Sequence, residues 1–305
     1  MKISNRVFLT VDVEGDWSLF PNEQKHFDSD LIVQNLDILD GLITSSKQRL
    51  NIDIPVTWFV RCDESVKVNL GSYEGLLEKV GNFIQKKTIE GDSFGLHPHL
   101  YSFSQKNTHN NELTKGEIEN QIGEAMLAWK NFFGEIPKFT RIGEARMCNI
   151  ISSSLDKYGI EIDSTALPGR ARHDNGFNFD WSLTGIDPYT PSRDNYQVPS
   201  KSSFENLGFI EAPFTMVPTK SSMDKSIISR YLNLSFKNHI IDDSLDAIHQ
   251  GQDVICVVHP HEVISKNYHS HHIISYSGET FFKNIQSLNT KLSNVNFFNF
   301  ESLNP

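Results

Sequence analysis

The stretch VFLTVDVE, residues 7–14, decides the fold. It opens as an almost uninterrupted apolar run, which is typical of a strand buried on both faces of a parallel sheet. Similar short runs recur along the chain and are bounded by polar and turn residues. We therefore predict further strands at VTWFV (56–60), FGL (94–96) and VICVV (254–258), and near residues 138–142, 160–164 and 208–211.

Longer segments with apolar residues at helical spacing lie between these runs, over residues 30–48, 73–89 and 114–133. The last segment has Thr114 at its start and Glu117 three residues later, which is the pattern of a capping box. Strands and helices in alternation indicate a parallel sheet with helices outside it. The number of repeats predicts an α/β fold of the distorted (β/α) barrel kind, with an open doubly wound sheet as the alternative.

The chain is expected to form a single domain over residues 1–305, with a long loop insertion near residues 166–206. The insertion is rich in Pro, Gly, Asn, Asp, Ser and aromatic residues and shows little periodicity. Segments of this length without regular structure are uncommon inside a compact domain. We expect the insertion either to cover a functional site or to run over the surface with a hairpin.

Composition argues against several classes of protein. The formal net charge of -10 argues against a nucleic-acid binder, which normally carries a basic stripe. Apolar runs stay well short of the roughly 18 residues that a membrane span needs. The three cysteines are widely spaced, which favours free thiols over a disulfide framework. Because no signal-like segment precedes the first strand, we predict a cytoplasmic protein.

Polar side chains follow the predicted strands at the point where each strand ends. In a parallel barrel these positions share one rim, the C-terminal face on which active sites lie. Asp12 on its own could equally be a turn or capping residue. The convergence of several such residues favours a functional site. They are Asp12, Glu14, His97, His99, Arg141, Asp163 and His259.

Side chains two residues apart on a strand point the same way, and two pairs on the predicted rim obey this spacing. Asp12 and Glu14 form the first pair, and paired carboxylates repel, share a proton or hold a cation. His97 and His99 form the second. Two histidines with a carboxylate, leaving open coordination positions, are typical of a catalytic zinc or iron site.

These segments resemble, in order and spacing, the motifs of the polysaccharide deacetylases with the NodB-homology fold. The resemblance runs from residue 7 to about residue 262 and suggests a divergent branch of that family. The segments that carry it are TVDVE (10–14), VTWFV (56–60), GLHPH (95–99), FTRIG (139–143), YGIEIDS (158–164) and VVHP (257–260).

The resemblance implies a role for each rim residue. Asp12 would be the general base, held ionised and oriented by Arg141, and His259 would be the general acid that protonates the leaving amine. One divalent metal ion, expected to be zinc, would be bound by Glu14, His97 and His99.

Two departures from the family pattern concern the ligands. The second histidine follows the first by two residues, and Tyr101 stands at the usual position four residues on. The second acid follows Asp12 by two residues instead of one, so Asp16 is an alternative ligand to Glu14.

The implied activity is metal-dependent hydrolysis of an N-acyl group, most simply N-acetyl, on a sugar or saccharide precursor, with release of acetate. The enzyme would act on a carbon–nitrogen bond other than a peptide bond, and its partner would be the acylated sugar. Two alternatives stay open: hydrolysis of small cyclic amides on the same fold, and metal-free recognition of carbohydrate. The sequence does not indicate an oligomeric state.

Five further residues have two interpretations each. His261 and Glu262 either support His259 or simply begin the next helix. Trp17, Trp181 and Tyr189 either stack against a sugar ring or pack in the core.

Overall fold

The structure, a computed structural model, describes residues 4–15, 28–103, 109–110, 113–174, 177–264, 271–292 and 295–303. The strands are β1 (Arg6–Val13), β2 (Thr57–Val60), β3 (Ser93–Leu96), β4 (Ser102–Phe103), β5 (His109–Asn110), β6 (Phe139–Thr140), β7 (Ile162–Asp163), β8 (Ala171–Asp174), β9 (Phe177–Asp180), β10 (Ile210–Glu211), β11 (Met216–Thr219), β12 (Ile228–Tyr231), β13 (Asp253–Val258) and β14 (Asn296–Phe298). The helices are α1 (Ser29–Leu50), α2 (Glu64–Leu70), α3 (Gly75–Lys79), α4 (Gly81–Ile89), α5 (Lys115–Phe133), α6 (Asn149–Tyr158), α7 (Asn238–Ser244) and α8 (Gly278–Lys291).

A parallel sheet forms the centre of the molecule. Within the described residues its strand order is β10-β7-β6-β3-β2-β1-β13, with β14 also paired to β1, and every pairing is parallel. The register of the first strand places Leu9 opposite Cys256 and Asp12 opposite Phe59. The predicted parallel α/β architecture is confirmed, and the rim residues lie at the carboxyl ends of neighbouring strands.

The two ends of the sheet approach each other through an irregular segment, residues 212–215. Ala212 donates its backbone N–H to Asp163 on the β7 side, at 2.7 Å, and Thr215 donates to Ile255 of β13, at 3.1 Å. Asn233 also pairs with Val257 of β13 in parallel. The sheet therefore curls into a distorted barrel. Single backbone hydrogen bonds close it where a regular strand pair would otherwise stand. The predicted fold class is confirmed.

Aromatic rings fill the barrel at the end opposite the rim. The Phe300 ring meets Phe8, Phe59 and Phe139, from three different strands, with centroids 5.7–5.9 Å apart. Edge-to-face contacts at this separation are favourable beyond the burial of area. Gly95 leaves room for this packing, because a Cβ there would lie 2.6 Å from the Phe59 ring.

The insertion near residues 166–206 contains the antiparallel hairpin β8–β9 and turns, and no helix among its described residues. Trp181, at its base, is 0% exposed and donates from Nε1 to the carbonyl of Ala145 at 2.8 Å. The hairpin is thereby fixed against the loop that follows β6. The predicted insertion is confirmed, and its hairpin contributes to the lining of the cavity described below.

The predicted helices differ in detail from those observed. The capping box is confirmed at the start of α5, where Glu117 accepts from the Thr114 N–H at 2.7 Å and Thr114 accepts in return. The predicted helix 73–89 is two helices that meet at Val80, whose φ of -97° and ψ of 11° interrupt α-helical geometry. Helices α2, α6, α7 and α8 were not predicted.

In the described part of the chain, no helix combines the length and the apolar character needed to cross a bilayer. The assignment of residues 1–305 to one domain stays a prediction.

Candidate active site

Six of the predicted residues lie together at the rim of the barrel and line one cavity of about 330 Å³. Volumes of this order are typical of sites for small ligands. Each residue stands at the carboxyl end of its strand, so the parallel order of the sheet brings residues distant in sequence within contact. They are Asp12, Glu14, His97, His99, Arg141 and His259.

Arg141 is buried inside the barrel and fixes Asp12. Its Nη1 donates to Asp12 Oδ1 at 2.5 Å and to Thr10 Oγ1 at 2.9 Å, and its Nε donates to the carbonyl of Ser164 at 2.9 Å. The guanidinium stacks between the rings of Phe59 and Phe214, at 4.2 and 4.3 Å. One carboxylate oxygen of Asp12 is therefore held in place, and the other faces the cavity.

Three atoms form a cluster with the spacing of metal ligands. The distance from His97 Nε2 to His99 Nε2 is 3.2 Å, from His99 Nε2 to Glu14 Oε2 is 3.2 Å, and from His97 Nε2 to Glu14 Oε2 is 3.9 Å. Ligands roughly 2.1 Å from a tetrahedral zinc ion lie roughly 3.4 Å from one another. The three distances bracket that value, so the cluster has the dimensions of such a site.

The hydrogen bonding of His97 determines its tautomer. Its Nδ1 lies 2.7 Å from the carbonyl of Arg141. Because a carbonyl only accepts, Nδ1 carries the proton, and Nε2 presents a lone pair to the cluster. Burial lowers the pKa of His97 to about 4, so the ring is neutral near pH 7. A neutral imidazole fixed by its second nitrogen is the usual form of a metal-binding histidine.

Glu14 is the acid of the cluster, and its carboxylate lies among three imidazoles. Burial opposes ionisation, yet the adjacent imidazoles of His99, His259 and His97 hold the pKa of this carboxyl well below its usual range. None of the described residues donates a hydrogen bond to the buried atom Oε2. A buried anionic oxygen close to the Nε2 atoms of His97 and His99 fits a divalent cation. The donor set therefore suits the metal that the sequence suggested.

A buried network of Arg61, Asp63 and Tyr101 supports the cluster from behind. Arg61 donates from Nε to Asp63 and from Nη2 to the Tyr101 hydroxyl, both at 2.7 Å, and its Nη1 lies 3.9 Å from Glu14 Oε2. Asp63 also accepts from the backbone N–H of His99 at 3.2 Å. Tyr101, at the position where the motif resemblance predicted a histidine, thus belongs to the frame that positions His99 and Glu14.

This network was not predicted, although the sequence contains a signal for part of it. Arg61 and Asp63 directly follow β2, so they obey the same rule of polar residues after buried strands.

His259 stands across the cavity from the histidine pair. Its Nε2 lies 3.4 Å from Glu14 Oε1 and 3.7 Å from Asp12 Oδ2, and its Nδ1 lies 3.0 Å from Glu262. Burial would lower the pKa of His259, but the carboxylates of Glu262, Glu14 and Asp12 raise it to about 10. The protonated ring therefore faces the cavity.

Glu262 contacts Nδ1 of His259 at 3.0 Å, and it also lies in a short 3-10 helix, Pro260–Val263. Both interpretations of this residue, as a partner of His259 and as part of the next helix, therefore hold. Asn233 and Ser235 donate to its carboxylate at 2.8 and 2.9 Å, which fixes its orientation. His259 and Asn233 are among the groups that hold the pKa of Glu262 at about 2 despite burial.

Gly143 lets His99 take its position. A Cβ on this residue would lie 2.1 Å from Cδ2 of the His99 ring, so no side chain fits there. The next two residues, Glu144 and Ala145, have φ of 58° and 56°, a conformation that non-glycine residues rarely adopt. Strained backbone of this kind is concentrated at functional sites.

Other candidates lie outside the cavity lining. Asp163 is buried below the rim, where it accepts from Thr140 at 2.6 Å, and Trp181 and Tyr189 are packed inside the protein. The stacking role considered for those two aromatic residues is therefore wrong, because neither presents a face to the cavity. Asp16 and Trp17 lie outside the described residues.

No family model and no curated protein matches the chain. Solved structures do. A candidate polysaccharide deacetylase from Mycobacterium smegmatis is 14% identical with a TM-score of 0.56, over 99% of this chain and 89% of that one. A candidate glycoside hydrolase/deacetylase from Parabacteroides distasonis is 11% identical with a TM-score of 0.60, over 98% of this chain and 70% of that one.

The chain therefore has the fold of the polysaccharide deacetylases, as its motif pattern predicted. It is a divergent example of that fold, at 14% and 11% identity to these two structures.

Removal of either histidine of the cluster tests metal binding. Loss of a side chain that hydrogen-bonds to a metal ligand lowers metal affinity by roughly 10- to 100-fold. We expect His97→Ala or His99→Ala, which each remove a ligand, to lower zinc affinity by more than that. Titration of zinc by isothermal calorimetry measures the change, and His239→Ala, an exposed histidine in α7, is the control. Stoichiometric, tight zinc binding by the His97→Ala/His99→Ala double variant would contradict this ligand assignment.

Gly143→Ala tests the packing of His99 without changing any ligand. Because the added methyl group overlaps the imidazole, we expect the ring to move and zinc affinity to fall roughly 10- to 100-fold. The matched control is Gly185→Ala, where a Cβ meets nothing within 4 Å. Equal zinc affinity in the two variants, both folded by circular dichroism, would show that the position of His99 does not limit binding.

Proposed function

We propose that the protein is a metal-dependent hydrolase that removes an N-acetyl group from a sugar or saccharide precursor and releases acetate. The observation that carries this proposal is the arrangement around Asp12. One of its oxygens is fixed by Arg141, and the other lies within 4 Å of both His97 and His259. A candidate base, a candidate acid and a metal-ligand cluster thus surround one small space, as amide hydrolysis requires.

Glu14, His97 and His99 would hold the metal ion, with zinc as the proposed metal. When bound there, a divalent ion polarises the amide carbonyl and lowers the pKa of an attacking water molecule. The residues of the chain do the remaining work, which is to orient the substrate and to move two protons.

Asp12 would accept the first proton, from the attacking water. Arg141 fixes one oxygen of this carboxylate, and its contacts to Thr10 and Ser164 prevent the guanidinium from turning away. The free oxygen Oδ2 points into the cavity beside the metal-ligand cluster, which is where the water must be deprotonated.

His259 would donate the second proton, to the departing amine. Glu262 orients the ring through Nδ1, so that Nε2 is directed at the cavity. The rings of His259 and His97 lie on opposite sides of this space. Asp12 as the base and His259 as the acid can therefore act on different atoms of the amide.

Aromatic and aliphatic side chains line the cavity above these groups, and they suit the apolar faces of a sugar ring. They include Leu167, Phe179, Phe214 and Tyr231. Hydrolysis of small cyclic amides is the enzymatic alternative, and a panel of N-acetylated sugars against cyclic ureides and imides would distinguish the two activities.

The free cysteines support the proposal of a cytoplasmic location. Cys62, Cys148 and Cys256 are all unpaired, and two of them are buried. Free thiols are usual in a reducing compartment. An enzyme placed there would act on a precursor of low molecular weight.

Asp12→Asn separates the base from the metal ligands. We expect turnover to be lost, because an amide cannot accept the proton, while zinc affinity stays close to that of the natural protein. Turnover is measured as acetate release, zinc by calorimetry, and Asp246→Asn on the surface is the control. If the metal is lost together with activity, Asp12 is a ligand and the division of roles between Asp12 and Glu14 is wrong.

His259→Ala tests the proton donor. The turnover number on an N-acetyl amide should fall by roughly 100- to 10,000-fold, the usual contribution of a positioned acid. The loss should be much smaller on acetyl esters with good leaving groups, since these depart without protonation. His249→Ala, an exposed histidine, is the control. An equal loss on both substrates would exclude His259 as the acid.

A further inference from the structure

Two buried carboxyl groups lie below the rim, and the proposed reaction uses neither of them. Asp163 in β7 and Glu211 in β10 stand directly opposite each other in the register of the two strands. Both side chains are buried, and their carboxyl groups hydrogen-bond each other. Two carboxylates in contact and away from water cannot both be ionised, so the pair holds a proton near neutral pH.

The hydrogen bonds of the pair indicate which group carries the proton. Asp163 Oδ1 accepts from the Thr140 hydroxyl at 2.6 Å, whereas no N–H or hydroxyl group of the described residues bonds to its buried Oδ2. A protonated Glu211 supplies that donor, since a neutral carboxyl group has one O–H. Burial and the charge of Asp163 raise the pKa of Glu211 well above its usual range. Burial also raises the pKa of Asp163, but the hydrogen bond with Glu211 opposes that shift.

Glu211 also holds the segment that orients Arg141, residues 164–166. Its Oε1 accepts from two backbone N–H groups of this segment, at 3.0 and 2.9 Å. In the same segment, the Ser164 carbonyl accepts from Arg141 Nε at 2.9 Å and the Ser164 hydroxyl accepts from Nη2 at 3.1 Å. One glutamate thus fixes the backbone on which the guanidinium depends, and Arg141 in turn fixes Asp12.

Among the described residues, a cation and a phenol also face the pair. Arg141 follows β6, and its charge favours ionisation of Asp163. Tyr189, in the insertion, pairs through its backbone with Glu211, and burial together with the charge of Glu211 raises the pKa of this tyrosine, so it stays neutral. Loss of the proton from Glu211 would therefore set two carboxylates against each other, and segment 164–166 would move with them.

We propose that Glu211 is a positioning residue, whose protonated carboxyl group donates to Asp163 and thereby holds segment 164–166 against Arg141. Asp12, the proposed base, is fixed as a consequence. This inference rests on the proposed function. It adds a proton that activity requires but that the reaction does not transfer.

Two substitutions separate the proton from the side chain. In Glu211→Gln, an amide N–H donates to Asp163 in place of the carboxyl proton, while the carbonyl still accepts from the backbone. In Glu211→Ala, these buried groups lose their partner. We expect Glu211→Ala to lower kcat on N-acetylglucosamine by roughly 10- to 100-fold, the usual cost of buried groups left unsatisfied, with little change in KM. Glu211→Gln should recover most of this loss.

Two spectroscopic measurements on the metal-free protein do not depend on turnover. At neutral pH, the infrared difference spectrum between the natural protein and Glu211→Gln should contain the C=O stretch of one protonated carboxyl group. Exchange of the Arg141 Nε–H with water, followed by NMR, should be slow in the natural protein and in Glu211→Gln. It should be at least about tenfold faster in Glu211→Ala, because segment 164–166 opens more often.

Glu205→Gln is the matched control, since it changes an exposed glutamate of the insertion. It should alter neither kcat nor exchange at Arg141, and its difference spectrum should lack the protonated band. If Glu211→Ala does not fold, Glu211→Asp replaces it, because the shorter side chain withdraws the carboxyl group from both partners.

The outcomes separate this inference from the proposed function. A spectrum without the protonated band would overturn the inference, because Glu211 would then be ionised. Equal losses of kcat and of exchange protection in Glu211→Gln and Glu211→Ala would overturn it too, since the donated hydrogen bond would not be what holds Arg141. If no N-acetylated sugar is hydrolysed but the band and the slow exchange are found as expected, the proposed hydrolysis fails and the positioning of Arg141 stands.

Discussion

The contact between Arg141 and Asp12 is the interaction on which the site depends. A guanidinium buried in the barrel must be neutralised and fully hydrogen-bonded, because an unpaired buried charge costs several kcal/mol. Asp12 supplies the charge, while Thr10 and Ser164 accept the remaining hydrogen bonds. Phe59 lies between this pair and Phe300 at the closed end of the barrel. Packing from one end of the barrel to the other thus fixes one oxygen of Asp12 and leaves the second at the rim.

The sequence predicts the fold and the meeting of the rim residues for one physical reason. Strands buried on both faces are recognisable as short apolar runs, and parallel strands end on the same side of a sheet. Asp12, His97 and His259 could therefore be brought together without knowledge of any contact between them. Which of the two acids of β1 holds a metal ion cannot be read from spacing alone, and the roles of these residues stay predictions.

Features that depend on contacts between distant segments were not predictable. In the sequence, Tyr101 stands where the motif resemblance predicts a histidine. Only the structure shows that its hydroxyl accepts a hydrogen bond from Arg61 behind the metal-ligand cluster. Residues 212–215 show no strand pattern in the sequence. They close the barrel through single backbone hydrogen bonds, to β7 on one side and to β13 on the other.

The central claim is that Glu14, His97 and His99 bind the metal while Asp12 remains free to act as a base. Anomalous diffraction at the zinc absorption edge, from crystals of the zinc-loaded protein, tests it most directly. The account predicts one strong peak bonded to Glu14 and to Nε2 of both His97 and His99, at distances near 2.0–2.2 Å. It also predicts that Asp12 stays bonded to Arg141. A peak bonded to Asp12 or His259, or no peak in this cavity at saturating zinc, would contradict the account.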